Sequence, residues 1–139
     1  PPRTLDGIKS LSYAANMLAA RLARERGADE ALLVTPHGRL LEGPTASFFC
    51  VLDGELVTPP LDDHILDSIT RQRLLALCGV RERSLSREDI ERMDEAFLAS
   101  TTREVLPVRA IEGRELPAPG PRTRQAARAL REHIASELA

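Results

Sequence analysis

Aromatic side chains are scarce in this sequence: 139 residues hold no Trp, one Tyr and three Phe. A chain of that length fits one domain with a sizeable core, and here the core must come from Leu, Ala, Val and Ile. The formal net charge is −2, with both signs interspersed. No basic stripe alternates with aromatics, so no nucleic-acid partner is expected. Cysteine is nearly absent too. Cys50 and Cys78 sit inside the apolar runs FFCVL and LLALCG, without metal-ligand spacing. Two buried free thiols in a reducing compartment, the cytoplasm, are the expectation. The three histidines are scattered and none is spaced for zinc, so no metal is expected. No apolar run approaches membrane-spanning length, so no membrane partner is expected either.

The sharpest shortage is lysine. Of nineteen basic side chains, every one but Lys9 is arginine. A GC-rich coding sequence drifting towards arginine would leave such a remnant on a solvated surface. Chemistry offers a different reason. Arginine replaces lysine as a charge, but not as a primary amine that must lose its proton and attack a carbonyl.

After Ser12, Ala15, Leu18, Ala19 and Leu22 recur at helical spacing and Gly27 supplies a stop, predicting a helix over about 12–26. EALLVT, RLLEG, ASFFCVL and ELVTPP read as strands, with a PHG turn and a DG hairpin signal between them. SITRQRLLALCG reads as a second helix, with Ser68 at its N-cap and Gly79 just beyond its end. VRERSL is a strand, SREDIERM a short helix, and EAFLAST and VLPVRAI further strands. The connector LPAPGP leads to a last helix over about 122–138. The mixture lacks regular βαβ alternation, so the expected fold class is mixed α/β with an irregular sheet. The chain opens PPRTLDG without Met, which suggests a piece of a longer polypeptide.

Three further places could carry chemistry. Glu42 ends an apolar strand in RLLEGPTAS; such acids are usually solvated strand ends, but one facing a cavity would meet a cation. Ser68 at an N-cap leaves the N–H groups of Ile69 and Thr70 pointing out of the helix, where an anion is favoured. In STTRE, Thr101 and Glu104 have capping-box spacing, a second possible anion nest. Each alone is commonly structural. Together they fit one ligand: an aldehyde for the lysine, a protonated ring nitrogen for the glutamate and a phosphate for two donor-rich helix starts. That ligand is pyridoxal 5'-phosphate.

From Lys9 to about Arg109 the chain resembles the larger, C-terminal domain of the class IV aminotransferases, the fold type IV pyridoxal-phosphate enzymes. These include branched-chain and D-amino acid aminotransferases and 4-amino-4-deoxychorismate lyase. IKSLSYAANMLA is similar to the family's lysine motif and ADEALLV…GRLLEG to its glutamate strand. TPPLDDHILDSITR is similar to its phosphate-binding helix start, and MDEAFLASTTREVLPV to its final site loop. The resemblance implies a pseudo-barrel-like large domain over 1–139, preceded in the whole enzyme by a smaller N-terminal domain. It also implies a homodimer.

By the same resemblance, Lys9 is the Schiff-base lysine and the proton carrier. Glu42 faces the pyridine nitrogen, Leu66 packs on the ring, and Ser68, Ile69, Thr70 and Thr101 surround the phosphate. Tyr13 reaches the cofactor's phenolic oxygen or Lys9, although some members have leucine there. Ser100 and Thr102 lie near the substrate carboxylate. The family commonly has Asn where Ser12 and Ser47 stand and Gly where Ser68 stands; a serine can still cap that helix. The implied reaction is ping-pong transfer of an amino group between an amino acid (branched-chain L or D) and a 2-oxo acid. The lyase reaction on aminodeoxychorismate, and a relic that keeps only the fold, are the alternatives.

Overall fold

The computed structural model describes residues 7–9 and 11–139. The opening PPRTLD, which carries part of the longer-polypeptide expectation, and Ser10 of the lysine motif lie outside the described residues. Along the chain run α1 (Ala14–Glu25), β1 (Arg39–Leu40), β2 (Ser47–Leu52), β3 (Glu55–Thr58), α2 (Ile69–Cys78), β4 (Arg81–Glu82) and β5 (Leu85–Ser86). Then follow β6 (Met93–Ser100), β7 (Glu104–Pro107), β8 (Ala110–Ile111), β9 (Arg114–Glu115) and α3 (Pro121–Glu137). Two 3₁₀ segments, Leu61–Asp63 and Arg87–Arg92, sit in the connections.

The centre is a five-stranded sheet in the order β4-β3-β2-β6-β7, antiparallel except where β3 meets β4. β2 is apolar nearly throughout because it is buried on both faces. Side chains alternate along it: Phe48, Cys50 and Leu52 enter one cluster, while Phe49 and Val51 enter the other. Phe49 stands opposite Phe97 of β6, and the two rings stack with centroids 4.8 Å apart. Leu74 of α2 and Ala126 and Leu130 of α3 cover that second face. The first face is covered by irregular chain, with Leu40, Leu85, Ile90, Ile111 and Leu116 as its buried residues. The mixed α/β class with an irregular sheet is borne out.

Local chemistry sets the joints. Asp53 and Gly54 both have positive φ (54° and 78°), which turns β2 into β3 in a two-residue hairpin. Ser68 Oγ accepts from the Arg71 N–H at 3.4 Å, and Gly79 (φ 59°) ends α2. At α3 the cap comes from a distant strand. Glu95 of β6, buried, accepts from the Arg122 N–H (3.0 Å), the Thr123 N–H (2.8 Å) and the Thr123 hydroxyl (2.8 Å).

Several expected elements differ. EALLVT and RLLEG form a loose hairpin rather than full strands, with one isolated bridge, Val34–Leu40, beside β1. Leu40 is the only side chain of these runs that is buried in the core; Val34 and Leu41 face outward or half outward, so little packing extends the ladder. VRERSL splits, because Arg81–Glu82 joins the main sheet and Leu85–Ser86 pairs with β1. VLPVRAI splits likewise into β7 and β8. Nor does a helix start at STTRE. Thr101–Arg103 form a three-residue hairpin loop between the paired Ser100 and Glu104, and Glu104 takes positive φ (53°). There the β6–β7 ladder outweighs the capping-box spacing.

Candidate active site

Lys9 lies exposed just ahead of α1, and its Nζ donates to Tyr13 Oη at 3.5 Å. Both residues precede α1, and the amine stands 5.6 Å from the ring centroid. Gly7 (φ 76°) fixes where this segment runs: a Cβ there would stand 3.3 Å from the Ile65 carbonyl oxygen. Lys9 therefore follows directly on a close approach to the loop before α2.

That loop also holds Glu42. The Leu66 N–H donates to Glu42 Oε1 at 3.0 Å, while Oε2 takes no hydrogen bond from any described residue. Burial pushes the Glu42 carboxyl up to about 7; the Leu66 N–H and the Arg71 guanidinium pull the other way and are outweighed. A desolvated carboxylate with one free oxygen is an anion awaiting a cationic donor. The turn after it is tied to α1, since Asn16 Nδ2 donates to the Pro44 carbonyl at 2.6 Å.

At the start of α2, Ser68 spends its hydroxyl on the Arg71 N–H. The Ile69 and Thr70 N–H groups have no partner among the described residues, as the first turn of a helix requires. Thr70 is buried and Ile69 is exposed. The hairpin loop comes to the same side. Arg103 donates to Thr45 Oγ1 at 2.7 Å and to Glu30 at 2.8 Å, placing Thr101 and Thr102 near the turn that follows Glu42. Both threonines are exposed; Ser100 is half-buried, and its Oγ accepts from the Arg103 N–H at 3.3 Å. Contacts thus connect the four segments: Gly7, just ahead of Lys9, to Ile65, Leu66 to Glu42, and Pro44 and Thr45 to Asn16 of α1 and Arg103.

Three participants escape the sequence reading. Arg71 stands in SITR but is fully buried rather than solvated; an arginine in the first turn of a helix, where acids are favoured, is the signal for it. Asn16 is the lone polar residue of AANMLAA. Arg103 carries no distinguishing mark among so many arginines.

Comparison with known proteins places this arrangement. The family model described as amino-transferase class IV matches residues 1–111. D-alanine aminotransferase of Bacillus licheniformis is 34% identical over 139 residues, covering 95% of this chain and 49% of that protein. The branched-chain-amino-acid aminotransferase of Escherichia coli K12 is 36% identical over 107 residues, 73% of this chain and 35% of that one. Among solved structures, the branched-chain aminotransferase of Thermoproteus uzoniensis with norvaline superposes at a TM-score of 0.90 with 35% identity, covering 96% of this chain and 46% of its own. The Thermobaculum terrenum enzyme in its PLP form gives 0.89 and 36%, covering 94% of this chain and 46% of its own. The chain covers between 35% and 49% of the length of these curated relatives. A family match across the lysine, glutamate, helix-start and hairpin segments together, at this level of identity, leaves one assignment: the chain belongs to the class IV aminotransferases.

Proposed function

We propose that this chain is the pyridoxal 5'-phosphate domain of an aminotransferase that moves an amino group between an amino acid and a 2-oxo acid. The observation that carries the reading is Glu42. A half-buried carboxylate that desolvation pushes up to about 7, with one oxygen held by Leu66 and the other without a partner among the described residues, suits a protonated ring nitrogen. The donor set fits the rest of the cofactor: a lone lysine amine beside the same loop, and two N–H groups at the start of α2 without partners among the described residues.

When bound, the cofactor supplies an aldehyde to receive the amino group and a ring to take up the electrons of the broken Cα–H bond. Lys9 Nζ would hold the aldehyde carbon and, once freed by the substrate's amine, would carry the proton taken from the substrate Cα. Tyr13 Oη orients that amine. Glu42 Oε2 would keep a proton at the ring nitrogen, and Leu66 would pack against the ring. Ser68, Ile69, Thr70 and Thr101 hold the phosphate, and Ser100 and Thr102 meet the substrate carboxylate. The relatives' names support branched-chain L-amino acids or D-amino acids as substrates. Their length supports a longer enzyme with a further domain. A homodimer suits α1, none of whose twelve residues is buried, with Met17 and Leu18 exposed. Free Cys50 and Cys78 suit the cytoplasm.

Borohydride reduction of the full-length protein followed by peptide mapping tests the first step: the adduct falls on Lys9, and an adduct on any other lysine overturns the assignment. A panel of L- and D-amino acids and aminodeoxychorismate then tests the reaction. Conversion of bound cofactor to its pyridoxamine form, with a 2-oxo acid released, supports transfer. Pyruvate and 4-aminobenzoate formed from aminodeoxychorismate would replace transfer with the lyase reaction.

A further inference from the structure

Arg103 is the last residue of the three-residue loop between β6 and β7, and its guanidinium forks. Nη1 donates to Glu30 Oε2 at 2.8 Å and Nη2 to Thr45 Oγ1 at 2.7 Å, while the backbone N–H of the same residue donates to Ser100 Oγ at 3.3 Å. Glu30 and Thr45 stand 73 and 58 residues away along the chain. One side chain therefore joins three segments: the start of EALLVT, the turn after Glu42, and the loop that carries Thr101 and Thr102. The fork is only partly open to solvent, with the Arg103 side chain 35% and that of Glu30 20% exposed.

Both segments that the fork meets are themselves fixed. Glu30 Oε1 accepts from the Ala31 N–H at 3.4 Å, so its carboxylate is held at both oxygens. The turn at Thr45 is closed by the Gly43 N–H, which donates to the Ala46 carbonyl at 2.8 Å, and Asn16 ties it to α1. A Cβ on Gly43 would stand 3.3 Å from the Ala46 carbonyl oxygen and 3.5 Å from that of Ala31, so the turn and the Glu30 segment run close together. The hairpin loop is less well supported. Thr101 and Thr102 are exposed, and their side chains make no hydrogen bond among the described residues. An exposed ion pair adds little to global stability, but a planar fork across two acceptors on separate segments fixes geometry.

We propose that Arg103 is a positioning residue: its fork straps Thr101 and Thr102 to the turn after Glu42, so that the loop stands ready for the cofactor phosphate and the substrate carboxylate. The proposal rests on those two threonines as anion-binding residues. A loop fixed beforehand need not be ordered when its ligand arrives, which favours binding. The effect falls on binding rather than on bond breaking, because Lys9 and Glu42 lie on other segments. Loss of the fork therefore raises KM more than it lowers kcat. Lysine is no substitute, since an ammonium on a flexible stem lacks the planar fork that spans both acceptors.

The experiment measures amide hydrogen exchange in the full-length protein freed of cofactor, as wild type, Arg103→Ala, Arg103→Lys, Thr45→Val and the double variant of Arg103→Ala with Thr45→Val. Exchange over 101–103 should quicken about fivefold in Arg103→Ala, and less in Arg103→Lys and Thr45→Val. The double variant should match Arg103→Ala, because both changes cut the same strap. Unchanged exchange over 101–103 in Arg103→Ala overturns the proposal, and wild-type behaviour in Arg103→Lys overturns the fork. An equal rise across β2 and β6 would mark a general loss of stability and overturn the positioning role. The same proteins are then loaded with pyridoxal phosphate and assayed with L-leucine or D-alanine, whichever the enzyme converts. KM should rise about fivefold in Arg103→Ala while kcat stays within about twofold. A quicker loop with KM and cofactor affinity unmoved would overturn the role in binding and take Thr101 and Thr102 out of the site. Wild-type protein that takes up no pyridoxal phosphate would discard the proposed function, and the exchange result would still decide the strap.

Discussion

Glu42→Gln separates charge from shape. Glutamine can still accept the Leu66 N–H that now bonds at 3.0 Å, but it cannot hold a proton at a ring nitrogen. The expected enzyme binds pyridoxal phosphate and turns over roughly a hundredfold more slowly, equivalent to about 2.7 kcal/mol of transition-state stabilisation. Turnover equal to wild type in steady-state assays would remove Glu42 from the ring nitrogen. Lys9→Arg makes the complementary cut. It keeps a cation near Tyr13, now 3.5 Å from the amine, but removes the nucleophile. Folding by circular dichroism should be unchanged, while borohydride-stable attachment and turnover disappear. At this scale the sequence was most informative: a single lysine and an acid at the end of RLLEG are visible without coordinates. Arg71 was not, because burial is a property of the folded chain and an arginine in a helix ordinarily reads as solvated.

Elements were legible where one local rule acted alone. α2 runs between the Ser68 cap and Gly79, and the hairpin at Asp53–Gly54 turns where its positive φ values require. The reading failed where pairing was decided far away in sequence. VRERSL divides between two sheets because β3 and β1 each take part of it, and STTRE becomes a hairpin because β7 pairs with β6. The start of α3 teaches the same lesson, for its cap is Glu95, a residue of β6. Glu95→Ala should leave three donors of that helix end unpaired and cost about 2–4 kcal/mol in urea unfolding. Gly120→Ala should destabilise through the same contact, since a Cβ there would fall 2.1 Å from Glu95 Cδ. A loss below ~0.5 kcal/mol in both variants would show that α3 is held by Leu130 and Ala126 alone.

For the whole molecule, the desolvation that prepares Glu42 for a cation is also a liability when no cation is there. Its carboxyl group titrates near 7 when folded, against 4.5 as the ordinary value. Below about pH 4.5 both folded and unfolded chains carry the proton, and Glu42 does not affect stability. Between 4.5 and 7 the unfolded chain releases a proton that the folded chain retains, so stability falls as pH rises. Above 7 the loss is complete, on the order of 3 kcal/mol. Asp53 acts in the opposite sense, because its hydrogen bond to Arg92 lowers its pKa, but its window lies below 3.8 and does not overlap. Comparing wild type with Glu42→Gln cancels every other titrating group. In the cofactor-free protein, the stability of wild type relative to the variant should fall from pH 5 to pH 8, measured by urea unfolding at each pH. A flat difference across that range would mean that Glu42 is solvated in the free enzyme, and that the cationic partner argued for its second oxygen has no electrostatic basis.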